Sequence, residues 1–266
     1  MPILPLSIQS IVLGGVLAVV IAGISYRAKL LSASGAAAAV LVGGAVYGCG
    51  GWRACVALIV FFVSASLLTR WRKTRKTALG FEKGGRRDAG QVLANGATAA
   101  LAIVAAGILP SLREPLTVAF LAALAEANAD TWATEIGSAS GATARLITTF
   151  RRAPVGMSGA ISLPGCAAAL AGSVLIGSLT VLFVPQSHVM RAAIAVAGSG
   201  FAGSLVDSLL GATVQAQYAR SDGNGWTENR QGGAGLVRGL AFIGNDAVNV
   251  AAATVSSLVA YWWFMG

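Results

Sequence analysis

An all-α fold, a polytopic membrane bundle of about eight transmembrane helices, is what this sequence predicts, on three observations. Of its 266 residues 56% are hydrophobic and only 11% charged, with a mean hydropathy of +0.73, a composition outside the range of soluble domains. The apolar residues gather into eight runs at 6–24, 33–50, 53–69, 89–109, 115–136, 158–184, 190–213 and 239–264, each near the roughly 20 residues that a membrane-crossing helix needs. Glycine is abundant, 34 residues, and recurs in small-residue stretches such as GAAAAVLVGG and GSGFAGS, which let helix backbones pack closely. A single integral-membrane domain over 1–266 follows.

The first run lacks a charged leader and a convincing cleavage site, so it reads as a retained helix rather than a secretory signal. The loops between the runs then order the rest by charge. Arg27 and Lys29 lie in the first loop, Arg70, Arg72, Lys73, Arg75, Lys76, Lys83, Arg86 and Arg87 in the third, Arg145, Arg151 and Arg152 in the fifth, and Arg220, Arg230 and Arg238 in the seventh. Only Arg53, Arg113 and Arg191 fall in the even loops. Positive charge concentrates on the cytoplasmic side, so both termini are expected outside, with the protein in the cell membrane. Cys49, Cys55 and Cys166 have no metal-ligand spacing and read as packing residues, and His188, on the expected outer side, receives no role.

Nine of the ten acidic residues lie in the expected cytoplasmic loops or in the runs; Glu114 alone marks an outer end. Asp88 opens the fourth run, Glu126, Asp130 and Glu135 sit in the fifth, Asp207 in the seventh and Asp246 in the eighth, accompanied by Gln91, Asn95, Asn128, Asn245 and Asn249. An intramembrane carboxylate is costly unless paired and marks a functional site by default. At about 100° per residue, Glu126, Asp130 and Thr134 share one arc of the fifth helix, while Asn128, Thr131 and Glu135 share the nearly opposite one. Neither arc can face lipid, so this helix is expected to be buried on both sides, to lie near the interface, or to unwind locally. Asp88, Gln91 and Asn95 form one stripe on the fourth run, Asp246 with Asn249 repeats the i, i+3 step on the eighth, and both stripes can face the fifth helix across a shared cavity.

Asp88-Ala-Gly-Gln91-Val92 and Asp246-Ala-Val-Asn249-Val250 repeat one design, a cationic glycine-rich loop followed by a carboxylate and an amide at a helix start. Glycine backbone N–H groups, helix starts and basic side chains all bind phosphate, and carboxylates beside phosphate call for a divalent cation between them. For Lys83, Arg86 and Arg87 a Mg²⁺-phosphate site is the reading; for the plain run Arg70 to Lys76 it is orientation and attraction to anionic lipid. Arg151 and Arg152, before Pro154 and Gly156, fit either a phosphate clamp or an anchoring turn. The seventh loop reads as a flexible lid from which Asn224, Glu228, Asn229 and Arg230 could reach a nucleotide; no Walker signature is present.

Four ordered motifs, GGRRDAGQVLANG, ANADTWATEIGS, PVGMSGAIS and GFAGSLVDSLLGATVQ, resemble the integral-membrane family that contains the plant and cyanobacterial phytyl-phosphate kinase and the animal transmembrane protein 19, itself similar to phytol and dolichol kinases and to phosphatidate cytidylyltransferase. The resemblance implies phosphoryl transfer from CTP, or another nucleoside triphosphate, to a prenyl monophosphate. On that basis Asp130, Asp88 and Glu135, with Asn128, form the expected catalytic set. Asp88, Asp130, Glu135, Asp207 and Asp246 would carry Mg²⁺, directly or through water. Lys83, Arg86, Arg87, Asn95, Arg151, Arg152, Gly156, Ser158 and Asn245 would bind the lipid phosphate and the triphosphate. Expected partners are the prenyl phosphate, the nucleotide and the membrane, with no nucleic acid; homo-oligomerisation is left open. Acidic and amide residues among small-residue helices also describe an ion-coupled transporter or a lipid-phosphate flippase. A transporter would hold its polar groups at the midplane, an enzyme at one face under basic loops.

Overall fold

The computed structural model describes residues 8–78, 86–219, 226–228 and 235–266, with the side chains of 72–78 and Thr227 left aside. It is a helical membrane bundle. Seven helices run in order: α1 (Ile8–Arg27), α2 (Ala33–Ala78), α3 (Ala89–Ile108), α4 (Arg113–Ala139), α5 (Leu163–Gly177), α6 (Val189–Thr213) and α7 (Asn245–Met265). Among the described residues, six spans are long and apolar enough to cross a membrane, α5 only together with the 3-10 segment Ser178–Leu182 that continues it, against the eight spans expected. The difference has two sources. The polar half of α4 leaves it less apolar than the others, and α2 runs two expected spans together.

That second helix is broken at Gly51, whose φ of 68° and ψ of −164° lie outside helical space. Only glycine adopts such a backbone without strain. The chain folds back there: the Arg70 guanidinium donates to the carbonyl of Ala28 at 2.9 Å, although a straight helix would carry Arg70 about 55 Å from Ala33. The limbs 33–50 and 52–78 thus form a hairpin.

α4 is the axis. Every residue from Pro115 to Ala129 except Leu116 is buried, because α2, α3, α5, α6 and α7 all pack on it. Hydroxyls from α7 secure it: Ser256 donates to Ala122 O at 3.0 Å and Ser257 to Ala119 O at 2.9 Å. Peripheral α1 differs in kind, burying only Ser10, Gly14, Ala18, Ala22 and Ser25 and exposing Ile8, Val12, Val16 and Val19, as a lipid-facing helix should.

The two ends of the bundle are chemically distinct. At one end a hydrogen bond between His188 Nδ1 and Glu114 Oε2, 3.0 Å, joins the starts of α4 and α6. Arg191 lies there over the rings of Trp263 and Phe264, the pattern of an interfacial aromatic belt. The opposite end gathers the starts of α3, α5 and α7, the C-terminal ends of α4 and α6, and most of the basic residues. Short strands occur in its loops, which the purely helical expectation did not include. β1 (Arg145–Leu146) pairs antiparallel with β2 (Ala160–Ile161), and β3 (Gln217–Ala219) lies between β4 (Trp226–Thr227) and β5 (Leu236–Arg238), antiparallel to both.

Candidate functional site

The backbone first brings two helix starts together. Asp88 caps α3, its Oδ1 accepting from Gln91 N at 3.0 Å, the usual service of an N-cap aspartate. Asp246, in the first turn of α7, lies against that same turn of α3, where a β-carbon on Gly90 would collide with its carboxylate. Close approach is what glycine supplies at this position. The two similar pentapeptides therefore meet in space, although Asp88 is a cap and Asp246 is already helical.

The remaining carboxylates converge on the same end. Asp130 stands within electrostatic reach of Glu135 and Glu228. Asp207 is within reach of Asp130 and Glu228, Asp246 of Asp88 and Glu228, and Glu126 of Asp207 and Asp130. Glu228, which follows β4, is thus common to three of these relations, yet sequence reasoning gave it only a general nucleotide-facing role. Ser158 donates to Glu228 Oε1 and accepts from Gln215 Nε2 at 3.0 Å, so the PVGMSG turn and the β3–β5 sheet close over the ends of α4 and α6.

Cationic neighbours occupy the rim. Arg87 is pinned through its backbone, donating to Leu30 O at 3.0 Å and accepting from Ser32 N at 2.9 Å. Its guanidinium lies 6.0 and 5.8 Å from the ring centres of Phe61 and Phe62. Burial pulls its pKa below the ordinary arginine value, and the nearby charge of Glu135 opposes that shift. Arg238 donates to Gly211 O at 3.1 Å and stacks on Trp226; its pKa too is lowered by desolvation. Arg86 is exposed and lies over Tyr26.

Other expected residues take different places. Asn128, fully buried, donates to Gly172 O at 2.8 Å and accepts from Ser64 Oγ at 2.9 Å. It ties α4 to α5 and α2 on the face away from Glu126, which packs against Gly203 of α6. Glu126 from one polar arc and Asn128 and Glu135 from the other are buried, the first of the three alternatives the pattern left open, while Asp130 and Thr131 are half-buried and Thr134 is exposed near the helix end. The Asp88, Gln91, Asn95 stripe is a correction: Gln91 and Asn95 line a cavity toward α1 and α2, not α4. Spacing defines a common face but not the neighbour it meets, and Asn95 Nδ2 is turned back to Gln91 O at 2.8 Å. Arg151 and Arg152 are exposed in the β1–β2 loop, Arg152 bridging to Arg145; among the described contacts neither meets a carboxylate. Gly156 has a φ of 82° with open space around it, and Asn245 is exposed at the start of α7. Lys83, Asn224, Asn229 and Arg230 lie outside the described residues.

Among the described residues, no three carboxylate, histidine or cysteine side chains are close enough to form a ready metal cage. The donor set nevertheless fits Mg²⁺ in its usual form, bound by one or two carboxylates with phosphate and water completing the shell. Glu126 Oε1 and Asp207 Oδ2 are buried oxygens without a hydrogen-bond partner, which is costly unless a cation or donor reaches them.

Comparison with known proteins agrees with this architecture. A family model described as integral membrane protein DUF92 matches residues 16–257. The chain is 33% identical to Protein PGR of Arabidopsis thaliana over 214 residues, 72% of this chain and 74% of that protein. It is 30% identical to Protein VTE6, chloroplastic, of the same plant over 236 residues, 86% of this chain and 64% of that protein. With an uncharacterized membrane protein of Methanocaldococcus jannaschii the identity is 32% over 169 residues, 63% of this chain and 67% of the other. No solved structure matches.

Proposed function

The chain belongs to the DUF92 family of integral membrane proteins, and from that premise we propose that it is a nucleoside-triphosphate-dependent kinase, CTP being the expected donor, that converts a prenyl or phytyl monophosphate to the diphosphate at the cytoplasmic face. The observation that carries this reading is the collection of Asp130, Glu135, Asp207, Glu228 and Asp246 at one end of the bundle, beneath loops rich in arginine and glycine. Its likeness to Protein VTE6 over 86% of the chain supports the same direction, as do the four motifs of the phytyl-phosphate kinase family.

A phosphate monoester is anionic near pH 7 and is itself the nucleophile, so no strong general base is needed. The demand is alignment of two mutually repelling anions and neutralisation of their charge. Asp130, paired with Asp207 or Glu135, would hold Mg²⁺ directly or through water, with phosphate oxygens completing the shell; when bound, the ion would screen the phosphates from the surrounding carboxylates. Arg87, beside Glu135, takes the acceptor phosphate, while Asp88 holds the start of α3 in place by capping it. Ser158, itself held by Gln215, orients Glu228. Arg86, Lys83, Asn245 and the fifth-loop arginines remain candidates for the triphosphate.

Purified protein in detergent, given Mg²⁺, CTP and geranylgeranyl or phytyl monophosphate, is expected to form the diphosphate. No product across several nucleotides and prenyl phosphates would end the kinase reading. The depth of Asp207 and Glu126, 8% and 1% exposed, favours an ion-coupled carrier of lipid phosphate instead. Proton- or sodium-driven movement of lipid phosphate in proteoliposomes, without nucleotide, would establish that alternative.

A further inference from the structure

The carboxylate group occupies α4, α6 and α7, but a cavity lies elsewhere, between α1, both limbs of α2 and the start of α3. About 810 Å³ of non-atom space lies between its walls when the part open to the outside is counted, and about 100 Å³ of it is cavity proper. The lining is almost wholly apolar. Polar side chains climb one wall from the mouth, Arg87, Gln91 and Asn95, whereas the far end is closed by Tyr47, packed on Gly14. Ser25 near the mouth and Gly14 at the far end are eleven residues apart on α1, so the slot is about 16 Å long.

Charge decides what fits such a slot. Its mouth carries a guanidinium held over Phe61 and Phe62, and the same group lies within reach of Glu135, which in turn is within reach of Asp130. An apolar chain lying in the slot with an anionic head on Arg87 would therefore present that head to the carboxylate group. We propose that this cavity is the tail site of the lipid monophosphate acceptor, that Arg87 receives its phosphate, and that Tyr47 limits the length of chain accepted. The identity of the head group rests on the kinase reading; the location of the tail does not.

Full-length protein in nanodiscs, irradiated with a geranylgeranyl monophosphate bearing a diazirine at the chain end, tests the location by mass spectrometry of labelled peptides. Label is expected on peptides covering residues 14–22 and 39–62, competed by unlabelled geranylgeranyl monophosphate but not by geranylgeraniol or phosphatidylcholine. Label confined to α5–α7 overturns the proposal. So does equal competition by the alcohol or by phosphatidylcholine, which would make the slot a berth for bulk lipid. Arg87→Gln should erase the preference for the phosphate over the alcohol. Tyr47→Ala should shift binding toward longer chains, and Ala39→Phe should weaken labelling, each by about tenfold; unchanged chain-length preference in a Tyr47→Ala protein that elutes normally also overturns it. Because labelling needs no turnover, correct labelling without diphosphate formation sinks the kinase reading and spares the tail site, and turnover with label elsewhere does the reverse.

Discussion

α1 and α4 are both helices of a membrane bundle, yet they bury their surfaces in opposite ways. α1 presents a narrow seam of Ser10, Gly14, Ala18, Ala22 and Ser25 to its neighbour and gives the rest to lipid. α4 is enclosed by five helices and keeps Glu126, Asn128 and Glu135 inside. The contrast teaches how the chain separates two tasks. Helices that face lipid leave an apolar slot between them, and the helix that never meets lipid can carry charge. Where the halves touch, at Arg87 and Glu135, an apolar chain and a charged head would be handled by adjoining parts of one end.

The sharpest way to break this division is at α4. Asp130→Asn removes one charge from the group shared with Asp207, Glu135 and Glu228 while keeping the shape of the side chain. The expected result is a loss of phosphoryl transfer of about 10²–10³-fold or more, the scale of removing one preorganised electrostatic group, with gel-filtration behaviour unchanged. A fully active variant would take Asp130 out of the site. Arg87→Gln comes next: loss of a charge-assisted bond to the acceptor phosphate, about 1.5–3 kcal/mol, should raise KM for the lipid by roughly 10–100-fold and affect kcat less. A fall in kcat alone would place Arg87 on the transferred group instead of the acceptor.

Much of this division was legible in the sequence, and the reasons for the rest are specific. Composition and run length gave the membrane bundle, and the opposed arcs of Glu126 and Asn128 kept α4 from facing lipid on either side, with enclosure as one of the three ways to achieve it. The runs 33–50 and 53–69 placed a boundary near residue 51, but that Gly51 turns the chain within an otherwise continuous helix depends on backbone geometry. The pairing of Ser158 with Glu228 spans 70 residues, and no local pattern records it. The Gln91 and Asn95 stripe was recognised as a face and assigned to the wrong neighbour, because periodicity carries no information about which helix lies opposite. The slot of α1–α3 was invisible for the same reason: its walls are ordinary apolar positions until four segments are assembled.

Asn128 separates a structural from a chemical role on α4. Its amide is spent on Gly172 O and Ser64 Oγ, so Asn128→Leu should lower stability by about 1–3 kcal/mol, the penalty of leaving buried partners unsatisfied. Thermal unfolding in detergent would show it as a lower Tm, while turnover of the folded protein should fall far less than in Asp130→Asn. Comparable losses of turnover would return Asn128 to the catalytic set.

The smallest effect is expected at the opposite end. Glu114 and His188 form a hydrogen-bonded pair 3.0 Å long, but their side chains are 40% and 49% exposed. Exposed pairs contribute about 0–1 kcal/mol because water and salt screen them and side-chain entropy opposes them. Glu114→Gln should therefore move Tm by less than Asn128→Leu, and the difference from the parent protein should shrink further as salt is raised. Diphosphate formation should be unaffected, since the pair lies at the end of α4 away from Asp130. A loss of turnover as large as that of Arg87→Gln would show that the two ends are coupled through α4, and the division between a lipid-facing shell and a charged axis would then have to include the outer end as well.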